Sequence, residues 1–250
     1  MTEISEQPPV APATEAEPPP SLKRFLMMAV LWLPLAFFLW FALRSVVVYL
    51  PIRGAVAWLA SWLPELVKGG RQDTFAMVLD TVATLGDTPG LPSSRLEVPV
   101  TTNALAYCYG LPILVGLVMA TPLTWARTAA QIAIGYAVIL PCQVFGLVGE
   151  GLKHLCFDYG SLVASGIADA GFQQVANAAG TAAATAADAV LAAHGIGPTG
   201  VGLWYQFGTL IMPTIVPVVV WILQNRSFIE AITGHRWAEP APVSSGPPAA

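Results

Sequence analysis

The chain has 250 residues, of which 55% are hydrophobic and only 10% charged, with a formal net charge of -4 at pH 7. An ordinary soluble domain carries about 25% charged residues, so this composition excludes a water-exposed globule and fits an integral membrane protein. The small net charge and the scattered Lys and Arg exclude a nucleic-acid surface.

Residues 1–22 are rich in Pro and Glu and poor in large apolar side chains. They cannot bury enough surface to offset their ordering entropy, so they are expected to be disordered. Because this polar stretch precedes the first apolar run, that run is expected to be a retained anchor, not a cleaved signal peptide.

The first span is read at residues 25–43, "FLMMAVLWLPLAFFLWFAL", 19 apolar residues flanked by Lys23, Arg24 and Arg44. At about 1.5 Å of rise per residue such a run approaches the ~30 Å hydrocarbon core. Residues 46–67, "VVVYLPIRGAVAWLASWLPELV", are apolar enough for a further span but are broken by Pro51, Arg53 and Pro64. Trp58 and Trp62 would share one helix face, so an interfacial helix with tryptophans at headgroup depth is the preferred reading.

The next region, 71–102, changes character. "DTFAMVLDTVATL" is rich in β-branched residues, and "RLEVPVT" alternates Leu96, Val98 and Val100 against Arg95, Glu97 and Pro99. With the turn-rich "GDTPGLPSS" between them, this predicts a small extracytoplasmic β-hairpin. A lone hairpin is marginal in water and must pack on helices or on a partner.

Further spans are predicted at 105–125, 128–152 and 201–223. Only a few residues around Arg127 separate the second from the third, which implies a tight helical hairpin. Residues 162–194, as in "VANAAGTAAATAADAVLAAHG", have helix propensity but few large side chains. They read as a weakly packed helical insertion, although small residues at helical spacing also permit close helix approach. The tail, 238–250, is expected to be disordered. The fold class is thus mainly α: a polytopic helical integral membrane protein with four spans, or five if 46–67 crosses. Four spans put both termini on one side. Lys23, Arg24, Arg127, Arg226 and Arg236 would lie there, near span ends, which makes that side cytoplasmic.

Three sets of residues are candidates for chemistry. Glu150, Lys153 and His154 lie at i, i+3 and i+4 and share a helix face where the third span emerges. The spacing favours an ion pair at a helix exit with Lys153 snorkelling; a proton-transfer or substrate-binding cluster is the alternative. Cys108, Cys142 and Cys156 are far apart, with no CxxC pair, so neither a disulfide framework nor a zinc site is expected. Cys156 and His154 point apart on a helix, which argues against a nucleophile and base pair. Finally, Gln143 and Gln206 need partners in lipid. They are expected either to bond each other or to line a polar pocket with Tyr109, with Tyr205 beside them. No GxSxG, HExxH or P-loop pattern is present, and no metal or other cofactor is expected.

The ordered set "WLPLAFFLW", "YGLPILVGLVMATP", "LPCQVFG", "GLKHLCFDYG" and "WYQFGTLIMPTIVPVVVW" resembles the exosortase H-associated membrane proteins, over most of residues 31–230. The resemblance implies a multi-pass protein of the bacterial inner membrane, encoded beside an exosortase. Exosortases are transpeptidases that process C-terminal sorting signals. It implies an accessory, non-enzymatic role, with membrane lipids, an exosortase and its sorted substrates as partners, and it transfers no catalytic residue. The Ala-rich stretch looks longer than the family's connection. The rival is an envelope enzyme or small-solute carrier built on Glu150, Lys153 and His154. A carrier would be expected to show inverted repeats, and none is evident.

Overall fold

The computed structural model describes residues 21–85 and 95–234. The expected tails, apart from Ser21 and Leu22, and the turn-rich 86–94 lie outside the described residues.

Helix α1 is Leu22–Ala42. Ser21 caps it by accepting a hydrogen bond from the Arg24 N–H at 3.3 Å, which satisfies one of the free amides of the first turn. One face, with Phe25, Ala29 and Ala36 buried and Met28, Trp32 and Leu33 partly so, packs on its neighbours, and most of the rest of its apolar surface is exposed. After a short turn of helix, α2 (Arg44–Val47), comes α3 (Tyr49–Trp62). This helix has two faces. Ile52, Ala55 and Leu59 are buried, while Arg53, Ala57, Trp58 and Ser61 are exposed.

The expected hairpin is instead a three-stranded antiparallel sheet in the order β1-β2-β3. Its strands are β1 (Val67–Asp73), β2 (Ala76–Thr84) and β3 (Arg95–Asn103). Asp73 closes β1, and Thr74, in the left-handed region at φ 54°, turns the chain into β2. The segment read as one strand from Asp73 is therefore split by a turn. The alternation in β3 is as expected: Val98 and Val100 are buried, Arg95, Glu97 and Pro99 exposed. Strand β1 runs back along α3. It starts beside the end of that helix, and at its far end Gln72 Nε2 donates to the Ser45 carbonyl at 2.7 Å.

Helices α4 (Leu105–Cys108) and α5 (Gly110–Ala120) follow. The second predicted span is thus shorter than 105–125. Pro122 disfavours a helical Thr121, whose ψ is 132°. Helix α6 (Trp125–Lys153) runs through a π-helical turn, His154–Asp158, into α7 (Tyr159–Asp169). The third predicted span, 128–152, therefore belongs to a longer continuous helix. Helix α8 is Gln173–Ala193. Helices α9 (Pro198–Gln206) and α10 (Met212–Gln224) are joined by a second π turn, Phe207–Ile211, and α11 is Arg226–Thr233.

The Ala-rich region is helical, as read, but it is not weakly packed. Ala176, Ala179, Ala183 and Ala187 of α8 are buried. A Cβ placed on Gly180 would lie 2.5 Å from the Gly160 carbonyl oxygen, and one on Gly160 would lie 2.8 Å from that of Gly180. The absence of side chains lets α7 and α8 touch backbone to backbone, as small residues do in membrane helix pairs.

Two cores organise the chain. One joins α1, α5, α6 and α10 through Phe25, Leu114, Val118, Ile139, Val220 and Trp221. At its end, Phe25 stacks on Trp221 at 5.3 Å, and Trp221 Nε1 donates to Thr121 Oγ1 at 3.0 Å. Asn225 and Gln131 exchange amide hydrogen bonds at 3.0 and 3.1 Å. The other core joins α3, the sheet, the second half of α6, and the α7–α8 hairpin. There a Cβ on Gly54 would meet Val144, and one on Gly151 would meet Leu59 and Leu79. Val144 is 19 residues beyond Trp125, about 28 Å along the helix axis. The first core reaches along α6 from the Trp221 end as far as Ile139, and the second takes over from Val144, so the two cores divide the length of one bundle.

By length and composition, Leu22–Ala42, Arg44–Trp62, Trp125–Asp169 and Pro198–Gln224 are each able to cross a membrane, and Leu105–Ala120 is a shorter apolar helix.

Candidate functional site

Glu150 lies late in α6, close to where the helix passes under the sheet. Its carboxylate collects donors from two helices. Tyr107, on α4, donates its phenol O–H to Glu150 Oε2. On the other oxygen, Oε1, Lys153 Nζ stands at 3.3 Å and His154 Nε2 at 3.1 Å. The second imidazole nitrogen, His154 Nδ1, is 2.8 Å from Asp158 Oδ2. An imidazolium donates through both nitrogens and matches both carboxylates, whereas a neutral ring has one N–H to give. Glu150, His154 and Asp158 therefore form a chain that bridges α6 and the π turn. Such turns occur often at functional positions.

A third segment closes the cluster. Tyr107 Oη also lies 3.2 Å from Thr209 Oγ1 in the second π turn, and Thr209 donates to the Tyr205 carbonyl at 2.7 Å. Lys153 Nζ sits 4.9 Å above the Tyr205 ring, a cation–π contact. This approach requires glycine on both sides. A Cβ on Gly146 would lie 2.5 Å from Tyr107 Cδ1, and one on Gly208 would lie 2.9 Å from the Gly146 Cα. Beside the cluster, Trp204 stacks on Phe145 at 4.7 Å and lies 5.9 Å from both Trp58 and Trp62. These four aromatic rings form one cluster that joins α3, α6 and α9.

The predicted site residues separate into two groups. Glu150, Lys153, His154 and Tyr205 come together. Tyr109, Gln143 and Gln206 do not join them or one another. Tyr109 Oη is 2.9 Å from Thr214 Oγ1. Gln143 is 2% exposed and donates from Nε2 to the Cys108 carbonyl at 3.5 Å, with its Oε1 buried and unpartnered. Gln206 points outward on α9. The expected amide pair therefore does not form. The π turn after Gln206 alters the facing of α9 relative to a regular helix, so depth matching alone did not fix direction. Asp158, Tyr107 and Thr209 belong to the cluster but were missed from sequence. Asp158 was legible in principle, because Glu150, His154 and Asp158 repeat every four residues. Tyr107 and Thr209 are 43 and 102 residues from their partners, a separation that no periodic pattern reports.

The cysteines stay apart from this cluster. Cys108 is buried, and Cys156 faces away from His154 into a cleft of about 460 Å³ with Asp188, Leu191 and Ile196. Among the described residues, no group of three His, Cys, Asp or Glu side chains is arranged to hold a metal ion.

Apolar helices that traverse a membrane thickness, with a sheet and a helix hairpin gathered at one end over an ion-paired strut, define a polytopic helical membrane protein. The family model described as exosortase H-associated membrane protein matches residues 19–181 and 164–228. The chain belongs to that family. The two matched segments overlap within the Ala-rich hairpin. Neither curated proteins nor solved structures give a match.

Proposed function

We propose that the chain is a non-catalytic accessory protein of an exosortase-type sorting system, packed beside the transpeptidase in the bacterial inner membrane. Four passes cross the bilayer: α1, α4–α5, α6, and α9–α10. Both termini are cytoplasmic, and the sheet and the α7–α8 hairpin face outward. Helices α2 and α3 together, Arg44–Trp62, are long enough to cross, but α3 lies along β1. If α3 spanned, the sheet would enter lipid with Lys68, Arg71, Asp80 and its open edges, and unpaired backbone in hydrocarbon is too costly. An interfacial α3 avoids this cost.

The accessory reading rests above all on how Glu150 is engaged. Its two oxygens are met by Tyr107, Lys153 and His154 together. Such a carboxylate serves as a strut between helices and offers little to a substrate. The family's name points the same way, to association with exosortase H. The rival, an envelope enzyme, draws support from the Asp158–His154–Glu150 chain, which has the form of an oriented acid–base relay. A sorting assay separates the two. His154→Ala, at normal protein level, is expected to leave processing of sorted substrates unchanged. Loss of processing at normal protein level would make the cluster catalytic and overturn the accessory reading.

A further inference from the structure

Four cations stand exposed at the end of the bundle opposite the sheet. Lys23 and Arg24 lie in the first turn of α1, Arg127 in the first turn of α6, and Arg226 opens α11. None makes an ion pair among the described residues. Their neighbours bring them together. Phe25, next to Arg24, stacks on Trp221 and meets Phe228 edge-on at 5.5 Å. Gln131, one turn after Arg127, is bonded to Asn225, next to Arg226. Glu230 is the one acidic side chain among the described residues at this end.

The surroundings define the chemistry of the partner. The cations form a rim directly above apolar helix surface: Leu22, Leu26 and Met27 of α1 are exposed, and Trp125, at the start of α6, is 80% exposed. A free anion would meet the charge and leave the apolar surface bare. An anionic phospholipid meets both, with its phosphate at the Lys and Arg and its acyl chains along α1 and α6. Arg is suited to phosphate oxygens because its planar fork donates in pairs. Both α1 and α6 begin here, so their dipoles add potential of the same sign. We infer that this end of the bundle is a binding surface for anionic phospholipid headgroups. Phe228 of α11 packs edge-on against Phe25, which holds α11 and its Arg226 close to the start of α1. The inference requires only a membrane-embedded chain. It does not depend on the accessory role or on which leaflet this end occupies.

The test uses the full chain in nanodiscs containing either phosphatidylcholine alone or a mixture with phosphatidylglycerol, with retained lipid read by native mass spectrometry after detergent extraction. The wild-type chain should retain phosphatidylglycerol in preference to phosphatidylcholine. Lys23→Gln with Arg24→Gln, and Arg127→Gln with Arg226→Gln, should each weaken retention, by about fivefold per cation removed. The charge-keeping pair Arg127→Lys with Arg226→Lys should hold most of it. Equal melting of all variants in phosphatidylcholine shows that they are folded, and the Lys pair carries the test if a Gln pair does not fold. Arg53→Gln with Lys68→Gln, at the far end, should leave retention unchanged. Equal retention by the Gln pairs, an equal loss from the far-end pair, or full displacement by inorganic phosphate would each overturn the inference.

Discussion

Glu150 and Gln143 sit two turns apart on α6 with opposite fates. Glu150 is met by three donors, one of them a phenol from another helix. Gln143 has one long hydrogen bond and a buried oxygen without a partner. A charge-assisted bond is worth roughly 1.5–3 kcal/mol, while a buried unpaired polar atom costs about 1–3. Tyr107→Phe should therefore lower stability by about 2 kcal/mol, a shift of roughly 4–8 °C in melting temperature for a chain of this size. Gln143→Leu should be neutral or stabilising, because it removes an unpaired acceptor. Thermal melts of the detergent-solubilised protein check both. A large loss from Gln143→Leu would mean that its amide has a partner in the membrane. At this scale the sequence was partly legible. The i, i+3, i+4 spacing of Glu150, Lys153 and His154 is local and survives folding. The bond to Tyr107 depends on Gly146 and Gly208 letting three segments approach, and that is a tertiary event.

Among the elements, the spans were the most legible and the sheet edge the least. A run of apolar residues long enough for a bilayer has few other uses, so α1, α6 and α10 stand close to where composition put them. Strand β1, with its sequence "VKGGRQD", carries two glycines and three charges, which weaken any strand signal. It forms because α3 and β2 offer it a surface. The α7–α8 hairpin makes the same point from the other side. Its poverty in large residues suggested loose packing, yet the missing side chains are what bring the backbones together. Gly180→Ala should force α8 away from the Gly160 carbonyl, at a cost of about 1–3 kcal/mol. Gly166, with nothing within 4 Å of an added Cβ, should accept Ala and gain up to about 1 kcal/mol from helix propensity. Chymotrypsin cleavage at the exposed Phe172, in the turn of the hairpin, reads the difference. Gly180→Ala should be cut faster than the parent chain, and Gly166→Ala no faster.

For the whole molecule, the arrangement of the two cores sets the topology. Every contact that gathers Phe25, Thr121, Trp221 and Asn225 lies at one end, and every contact that gathers α3, the sheet and Glu150 lies at the other. In the proposed topology, α3 lies at the interface and β3 faces the cell exterior. A cysteine introduced as Glu97→Cys, in a background lacking Cys108, Cys142 and Cys156, should react with a membrane-impermeant maleimide in intact cells. Reaction only after lysis would mean that α3 crosses the bilayer.

The accessory role itself is tested most directly by purification in mild detergent. The tagged chain, expressed at native level in cells that carry the sorting system, should bring an exosortase with it through lateral helix packing. That co-purification should survive His154→Ala, since in the proposed reading Glu150, Lys153 and His154 serve one another and not the partner. A chain that purifies without an exosortase, from membranes in which the enzyme is present and intact, would contradict the account.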